Sequence, residues 1–472
     1  MSADRPPAVP ADGADGPDLV IAGAGGGLVG ALRAASLGLS VLVVERNEHF
    51  ARGNNTAMST AMVPGAGSRW QREAGIEDSP ETFLADIMAK THGEADERLA
   101  TALAGVSARL VEWLADEAGL PLSLVTDFAY PGHSVHRCHT VPGRSGQAML
   151  ADIVRAVRRS DLIDLMVPAR LVDVLSDESG VREVVVESPH GEERIPTRAV
   201  LLATNGYGAD RALVAEHLPE IAGATYHGSE GSTGDALRIG TRLGAAAAYL
   251  DAYQGHAALT PAATLAGWAT VMHGGIVVDV HGRRFGDETT GYSEYAARLQ
   301  AQEGGRGWIV LDQRIHEACL AFTDYQATVE SGVSKTAPTI EELSAAMDVD
   351  AAVLSQTLQE ARAAAEGRAR DEFGRTAWGA PLSPTYRAVP VSPALFHTQG
   401  GLVVDEHARV MTSADEPIRG LYAAGGAAAG ISGHGAAGYL AGNGLLPALG
   451  LSFLAAEHVA GSAARVSRGS EV

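Results

Sequence analysis

The chain has 472 residues and a formal net charge of −21. Its length corresponds to about three average domains and is sufficient for a large core and a second lobe. The charge argues against nucleic acid or an anionic membrane as a partner, because a polyanion would be repelled over the whole surface. The two cysteines, Cys138 and Cys319, exclude a disulfide framework and lead us to expect a cytoplasmic protein.

The first residues do not have the pattern of a signal peptide. Residues 1–17 are rich in proline, alanine and acid, without a basic start or an apolar segment, and they predict a disordered leader. We also expect no membrane span, because no stretch of the sequence looks long and apolar enough to cross a bilayer.

A nucleotide-binding pattern follows the leader. An apolar strand enters a loop containing Gly23 and Gly25, an alanine-rich helix follows, and a second strand ends at Glu45. Glycines let the backbone approach a pyrophosphate at a helix N-terminus, and the acid can accept hydrogen bonds from a ribose. In the usual G-x-G-x-x-G motif the third glycine would stand at position 28, which here is Leu28, so Gly27 must take its place. The alternative is a tight strand-to-helix turn without a ligand.

A second glycine-rich segment lies near the other end of the chain. Residues Ile418 to Gly430 have the strand-then-glycine character expected where a flavin ring meets a helix N-terminus. The last helix opens on Gly442, Asn443 and Gly444, so its N–H groups and dipole can face the flavin. Together the two segments argue against the plain turn and favour FAD over NAD.

The order of these patterns predicts an α/β protein. We expect a discontinuous Rossmann-like FAD-binding domain in residues 18–250 and 381–472, with an inserted α+β capping domain in residues 251–380. A helix opened by Thr339 as N-cap is typical of the inserted part. The substrate would lie between the two domains.

Motifs in the expected order over nearly the whole chain resemble the flavoprotein family of fumarate reductase, succinate dehydrogenase and 3-ketosteroid dehydrogenase. These motifs are VIAGAGGG, GNNTAMSTAMVPGAG, LLATNGYG, GSTGDALRIG, GRRFGDET, FHTQGGLVVDEHARV and GLYAAGG. The resemblance implies FAD and a set of cofactor contacts. These are Gly23, Gly25, Gly27, Glu45, Arg46, Asn55, Thr56, Ser59, Ala203, Thr204, Asn205, Gly425, Gly426, Gly442 and Leu445.

The resemblance also bears on how FAD is held. Family members that bind FAD covalently use a histidine just before the threonine that matches Thr56. Here that position is Asn55, which has no ring nitrogen to alkylate. We therefore expect noncovalent FAD.

Two tyrosines stand where fumarate reductases carry arginines. Tyr292 matches the arginine that delivers a proton, and Tyr439 matches the arginine that clamps a substrate carboxylate. The glutamate and arginine of the proton relay are replaced by Trp268 and Val271. Fumarate reduction by the usual relay is therefore not expected, and the tyrosine pair resembles that of 3-ketosteroid and cyclohexanone dehydrogenases.

The resemblance implies desaturation beside a ketone. Tyr439 and the backbone N–H of Asn443 would bind the carbonyl oxygen, and Tyr292, assisted by Tyr130, would remove the neighbouring proton. A donor on the oxygen stabilises the developing enolate, and a hydride leaves for flavin N5. Tyr295 is the rival of Tyr292. A phenol is a poor base at its ordinary pKa of about 10, so the role needs either a depressed pKa or a proton relay.

Two histidines bear on the substrate. His256 and His397 match positions where fumarate reductases hold the substrate's carboxylates, and a cationic or donor imidazole suits an acid group. This favours a small cyclic ketone with a carboxylate, such as an oxocyclohexanecarboxylate, over a steroid. The alternative is that the two histidines form hydrogen bonds with the flavin or with the backbone. Three further histidines have metal-like spacing, but we expect no metal; they are His133, His136 and His139.

Two other functions stay open at this point. One is the reduction of an unsaturated acid, with a tyrosine replacing the proton-donating arginine. The other is a flavin-binding or redox-sensing module without turnover. The partner would be a small-molecule substrate, and the electron acceptor could be oxygen, a quinone or a carrier.

Overall fold

The structure, a computed structural model, describes residues 16–128, 130 and 132–469. Residues 1–15, which hold most of the predicted leader, lie outside the described residues. The helices are α1 (Gly27–Ser36), α2 (Phe50–Gly53), α3 (Asn55–Met58), α4 (Arg69–Glu73), α5 (Pro80–Lys90), α6 (Glu97–Asp116), α7 (Gly146–Val157), α8 (Arg211–His217), α9 (Asp235–Arg242), α10 (Ala269–Met272), α11 (Tyr292–Gln300), α12 (Gln313–Cys319), α13 (Thr323–Glu330), α14 (Ile340–Met347), α15 (Ala351–Ala365) and α16 (Leu445–Gly469).

The strands belong to several sheets, of which two carry the site. In chain order the strands are β1 (Leu19–Ala22), β2 (Val41–Val44), β3 (Val63–Pro64), β4 (Ser123–Leu124), β5 (Cys138–Thr140), β6 (Ile163–Met166), β7 (Arg170–Asp177), β8 (Gly180–Ser188), β9 (Gly191–Pro196), β10 (Val200–Leu202), β11 (Thr225–Tyr226), β12 (Ala247–Ala248), β13 (Tyr253–Leu259), β14 (Ile276–Asp279), β15 (Gly307–Asp312), β16 (Lys335–Ala337), β17 (Tyr386–Thr398), β18 (Gly401–Leu402), β19 (Arg409–Met411) and β20 (Pro417–Ala423).

The first sheet has the strand order β19-β20-β10-β1-β2-β6. All its pairs are parallel except β19 with β20. Strands β1 and β10 are buried along their whole length, as expected for a parallel sheet covered on both faces. The chain moves outward on one side of β1 to β2 and β6, then returns to β10 on the other side. This reversal is where open α/β sheets bind ligands, and the predicted α/β fold is confirmed.

Helix α16 packs along α1 beside the first sheet. A Cβ on Gly30 would lie 3.0 Å from the Ser452 carbonyl oxygen, so the two helices approach closely. Residues Leu445–Ala463 are long and apolar enough to cross a membrane by length and composition, and most of this stretch is buried. The expectation that no stretch reaches this apolar length is therefore wrong. The burial indicates a core helix.

The second sheet is organised around the long strand β17. This strand pairs with β11, β13, β15 and β16, and β14 joins through β15. Strand β17 therefore pairs with strands from the predicted capping region, although the prediction assigned it to the FAD-binding domain; the domain boundaries remain a prediction. The smaller sheets are β3-β5-β4, β7-β8-β9 and β12-β18. Thr339 caps α14 as predicted, accepting the Glu342 backbone N–H at 3.2 Å.

Candidate active site

A single cavity extends from the reversal point of the first sheet to the second sheet. Every predicted cofactor, substrate and catalytic residue except Gly27 lines it. The tertiary structure thus brings together segments that are far apart in the sequence. The roles of these residues remain predictions.

Glycines shape the end of the cavity beside the first sheet. Gly23 has a φ of +110°, and a Cβ there would lie 2.3 Å from the Ala203 carbonyl oxygen. A Cβ on Gly26 would lie 2.6 Å from the Ala448 carbonyl oxygen, and no side chain caps the start of α1 beside it. A side chain at either position would force these backbone segments apart. The glycines leave room for an anion at the helix N-terminus.

The third glycine has a different role from the one predicted. Gly27 does not line the cavity. A Cβ there would lie 2.7 Å from Ile21 Cγ2, so Gly27 lets α1 pack closely against β1. Gly26, which was not predicted, lines the cavity instead. The three consecutive glycines at positions 25–27 were the sequence signal that could have identified Gly26 as a cavity residue.

Glu45, predicted at the ribose, and Arg46, predicted as a cofactor contact, already have partners. The Glu45 carboxylate accepts the backbone N–H groups of Ala24 at 2.7 Å and Asn47 at 2.8 Å, which leaves lone pairs for a ligand. Arg46 pairs with Asp235 at 3.3 Å. This end of the cavity is therefore arranged before any ligand arrives.

Asn55, at the start of α3, holds β17 and the loop at Ser229 together beside the cavity. Its Nδ2 donates to the Phe396 carbonyl oxygen at 3.1 Å, and its Oδ1 accepts the Ser229 backbone N–H at 2.7 Å. The Ser59 hydroxyl donates to the Thr56 carbonyl oxygen at 2.7 Å nearby. The amide of Asn55 thus has a structural role at the position where covalent relatives carry histidine.

Two buried polar atoms in the cavity wall have no partner among the described residues. They are Thr204 Oγ1 and Asn443 Oδ1. An unpaired buried polar group costs about 1–3 kcal/mol, so each favours a bound polar molecule. With the glycine-lined space, these residues fit a dinucleotide such as FAD.

Tyr292 and Tyr439 meet at the other end of the cavity. Their ring centroids are 5.9 Å apart with an interplanar angle of 64°. The Tyr292 hydroxyl and the Gly444 backbone N–H both act on the Tyr439 hydroxyl and favour its deprotonated form, although burial outweighs them. Tyr439 lines the cavity, where its hydroxyl can meet a ligand oxygen.

Burial raises the pKa of each tyrosine at this end. This holds for Tyr130, Tyr292 and Tyr439, and the Tyr439 hydroxyl contributes to the raised pKa of Tyr292. All three phenols are neutral near pH 7. Of the two possibilities for a tyrosine base, the raised pKa values argue against a depressed pKa and favour a proton relay.

The rival tyrosine does not reach the cavity. Tyr295 is fully buried and packs against Trp268 and Phe285, with ring centroids 5.6 and 5.0 Å away. Among the described residues its hydroxyl has no hydrogen-bond partner. Tyr292 rather than Tyr295 is therefore placed to meet a substrate.

Asp324 also lines this end of the cavity and was not predicted. It lies at the start of α13, and burial raises its pKa. Its charge acts on Tyr130, which in turn acts on Tyr292. The local sequence around Asp324 has no pattern that would have identified it.

His256 is held between aromatic rings as a neutral imidazole. It stacks on Tyr292 at 4.8 Å and on Phe396 at 5.3 Å between ring centroids. Its Nδ1 accepts the Ala258 backbone N–H at 3.2 Å, which leaves the ring proton on Nε2. Burial lowers its pKa to about 3.

His397 is neutral as well. Its Nδ1 is 3.0 Å from the Gln399 side-chain nitrogen, and burial lowers its pKa to about 4. Of the two expected forms, a cationic or a donor imidazole, the neutral donor is therefore favoured. At neutral pH neither His256 nor His397 is a cation, and both can act as donors.

The prediction that the backbone N–H of Asn443 binds the substrate's carbonyl oxygen must be corrected. The Asn443 N–H already donates to the Leu440 carbonyl oxygen at 3.0 Å, because the loop turns back on itself there. The backbone N–H beside the Tyr439 hydroxyl belongs to Gly444. Asn443 instead directs its Nδ2 to Ser432 Oγ at 3.1 Å.

The histidines with metal-like spacing have other partners. His133 Nε2 is 2.9 Å from the Ala441 carbonyl oxygen, and Arg137 donates to its Nδ1 at 3.2 Å. His139 Nε2 is 2.8 Å from Ser68 Oγ. Within the part of the chain that the structure describes, no group of three metal-binding side chains occurs. His133 thus supports the loop that follows Tyr439.

Similarity to known proteins covers almost the whole chain. The family model described as FAD binding domain matches residues 18–445. The NADH:fumarate oxidoreductase of Klebsiella pneumoniae is 29% identical over 425 residues, which are 88% of this chain and 45% of that protein. The chain therefore spans less than half the length of that relative.

Solved structures show the same fold. A flavocytochrome c3 fumarate reductase in an open conformation has a TM-score of 0.79 at 26% identity, covering 94% of this chain and 78% of that chain. A 3-ketosteroid delta1-dehydrogenase from Sterolibacterium denitrificans has a TM-score of 0.77 at 23% identity, covering 94% and 99%. The second likeness concerns the fold alone.

Proposed function

This chain belongs to the FAD binding domain family, together with fumarate reductases, and from that premise we propose that it desaturates a cyclic ketone beside its carbonyl group. Family membership supports an FAD-dependent oxidoreductase that acts on CH–CH bonds. The predictions of the family and of FAD are confirmed. The observation that supports the ketone is the neutral, half-buried pair Tyr292 and Tyr439 in the cavity.

Tyr439 is the proposed donor to the ketone oxygen. Its phenol is neutral because burial raises its pKa, and it lines the cavity, so its proton can be donated to the substrate. As the α-carbon loses its proton, negative charge moves onto the carbonyl oxygen, and a donor in a dry site stabilises that charge strongly. FAD, when bound, supplies the acceptor for the hydride of the β-carbon and its two electrons. The product is an α,β-unsaturated ketone.

Tyr292 is the proposed acceptor of the α-proton, acting through a relay. Because its phenol is neutral, it must pass on its own hydroxyl proton as it accepts the substrate's. Tyr130 and Asp324 line the same end of the cavity and act electrostatically on one another. The other carboxylates in the described lining, Glu45 and Asp235, are engaged, whereas Asp324 has no hydrogen bond or ion pair there. The route that we propose for the proton is from Tyr292 through Tyr130 to Asp324.

The charges around the cavity favour an uncharged ketone over a keto acid. The described cavity lining contains the cations Arg46 and Arg170, and both are paired with Asp235. The histidines beside the tyrosines are neutral. A carboxylate that leaves water without a cation to pair with loses several kcal/mol. The carboxylate-bearing substrate stays an alternative.

Reduction of an unsaturated acid is the second candidate. The names of the Klebsiella relative and of the flavocytochrome support it. The residues argue against it, because tyrosines occupy both positions matched to the catalytic arginines, and Trp268 and Val271 replace the relay. A flavin-binding module without turnover would leave the tyrosine pair without a role.

Anaerobic mixing distinguishes these functions. A saturated cyclic ketone, such as cyclohexanone or a larger homologue, should bleach the oxidised flavin absorbance, with formation of the enone. Under the second candidate an enoate such as fumarate should restore the absorbance of the dithionite-reduced protein. Bleaching by no member of a ketone series, together with reoxidation by an enoate, would overturn the proposal.

Noncovalent attachment of FAD is tested separately. Because Asn55 cannot be alkylated by the flavin, acid precipitation should release all of the yellow cofactor into the supernatant. Flavin that stays in the washed protein pellet would contradict this.

A further inference from the structure

A chain of buried polar side chains leads away from His397. Asn443 Nδ2 donates to Ser432 Oγ at 3.1 Å, Ser432 Oγ donates to Gln399 Oε1 at 2.9 Å, and Gln399 Nε2 donates to His397 Nδ1 at 3.0 Å. Gln399, Ser432 and Asn443 are all at most 4% exposed. Their bonds therefore form without competition from bulk water.

This chain favours one ring nitrogen of His397 as the carrier of the proton. Nδ1 lies 3.0 Å from the Gln399 NH₂, which can only donate, and 3.4 Å from the Thr398 carbonyl oxygen, which can only accept. The shorter contact favours Nδ1 as an acceptor, and a neutral ring then carries its proton on Nε2. A protonated ring would place Nδ1–H against the NH₂ of Gln399. No member of the chain has a negative charge that could compensate. The chain therefore disfavours the imidazolium by its geometry.

The Nε2–H of His397 borders the same space as the Tyr439 hydroxyl. A Cβ on Gly444 would lie 2.9 Å from His397 Nε2 and 3.7 Å from the Tyr439 oxygen. The two ring centroids are 6.0 Å apart, and both residues line the cavity. Two neutral donors thus converge where a small ligand presents its acceptor atoms.

We propose that Gln399 is a specificity-determining residue: by presenting its NH₂ to His397 Nδ1, it keeps the imidazole a neutral Nε2–H donor and selects uncharged carbonyl ligands over carboxylates. Gln399 acts through His397 and so has a positioning role. The proposal deepens the ketone dehydrogenase function and rests on it for the identity of the substrate. The proposed preference for uncharged carbonyl ligands can be tested by measuring binding alone, without turnover.

The test replaces Gln399 by an acid of the same shape. In the FAD-loaded protein, Gln399→Glu places a carboxylate beside Nδ1, which stabilises the imidazolium and creates a cation in the cavity. The probes are 2-cyclohexen-1-one and 1-cyclohexene-1-carboxylate, titrated at pH 7 and followed by the flavin absorbance. We expect the wild type to prefer the enone. The variant should shift the ratio of the two dissociation constants toward the carboxylate by about tenfold or more, as for a charge-assisted hydrogen bond.

A pH series and two further variants make the result specific. In Gln399→Glu, carboxylate affinity should fall as the pH rises through the new histidine pKa, a change that a merely structural role would not produce. Gln399→Leu should weaken enone binding without strengthening carboxylate binding. The matched control is Gln359→Glu on exposed α15 surface, which adds the same charge elsewhere and should leave the ratio unchanged.

Failure of this proposal differs from failure of the proposed function. An unchanged ratio in Gln399→Glu that retains FAD, or a wild type that prefers the carboxylate, would overturn the role of Gln399. If Gln399→Glu fails to retain FAD, Gln399→Leu decides: stronger carboxylate binding in that variant would overturn the role. A shifted ratio without bleaching by any cyclic ketone would support Gln399 and reject the dehydrogenase.

Discussion

The two ends of the cavity are built in different ways. At the nucleotide end, backbone and glycines at the reversal point of the first sheet leave space for a ligand, with Gly23 and Gly26 against neighbouring carbonyl oxygens. At the reaction end, side chains from distant segments converge, among them Tyr130, Tyr292 and Tyr439. The first end is defined by steric fit, and the second by neutral groups whose pKa values are shifted by burial.

This difference separates cofactor retention from chemistry. A change at the nucleotide end should cost bound flavin, because a Cβ at Gly23 or Gly26 would clash with neighbouring backbone and displace the glycine loop. A change at the reaction end should lower turnover while flavin stays bound. The following variants test that separation.

Removal of the Tyr439 hydroxyl should have the largest effect. Tyr439→Phe eliminates the donor to the ketone oxygen, and loss of one such donor typically lowers the rate about 10²–10³-fold. The rate of flavin bleaching after anaerobic mixing with a ketone substrate measures it, and flavin content should be unchanged. Tyr295→Phe is the matched control, because that hydroxyl lies outside the cavity lining. An equal loss in both variants would remove Tyr439 from this role.

A methyl group at the nucleotide end should reduce cofactor retention. Gly23→Ala forces a residue with a φ of +110° to carry a Cβ 2.3 Å from the Ala203 carbonyl oxygen. We expect flavin per protein to fall about tenfold or more, corresponding to about 1.4 kcal/mol or more of lost affinity. Gly105→Ala is the control, since nothing lies within 4 Å of a Cβ there. Full flavin content in Gly23→Ala would show that the steric account is wrong.

The proposed relay predicts a change in the pH profile. Asp324 must be ionised to accept a proton, so wild-type turnover should fall as the pH drops through its raised pKa. Asp324→Asn should remove this acidic limb and lower turnover about tenfold. General acid–base catalysis typically contributes about 10²-fold or more, so the expected loss of turnover is modest. Steady-state rates across pH measure both. If the acidic limb persists in the variant, Asp324 is not the proton acceptor.

The smallest effect concerns stability at acidic pH. Burial, aided by Arg137, lowers the pKa of His133 to about 4, whereas the unfolded chain titrates near 6.5. As the pH falls from about 6.5 to about 4, the unfolded state takes up a proton that the folded state does not, so stability decreases by about 1.4 kcal/mol per pH unit for this residue.

His133→Gln should remove that contribution. Urea unfolding at several pH values should give a slope of unfolding free energy against pH that is smaller by about one proton between pH 4 and 6.5. His49→Gln is the control, because its side chain is 82% exposed. Equal slopes in wild type and His133→Gln would contradict the buried neutral histidine.

Much of the nucleotide end could be predicted because its pattern is local. A strand, a glycine turn and a helix follow one another within a few residues, and the acid after the second strand has a regular spacing from them. Residue identities at matched positions also indicated FAD and the pair Tyr292 and Tyr439. Gln399 lies within a matched motif, yet its partner Ser432 lies in another loop, so the hydrogen bond was not visible in the sequence.

The sequence by itself thus determined the α/β class, the family, the cofactor and the residue types available for chemistry. Only the tertiary structure decided that Gly27 packs against β1, that the Asn443 N–H is already used, and that His256 and His397 are neutral. The physical reason is that backbone conformation depends on neighbouring residues in the chain. Protonation and hydrogen-bond direction depend on burial and on partners that folding brings from far away.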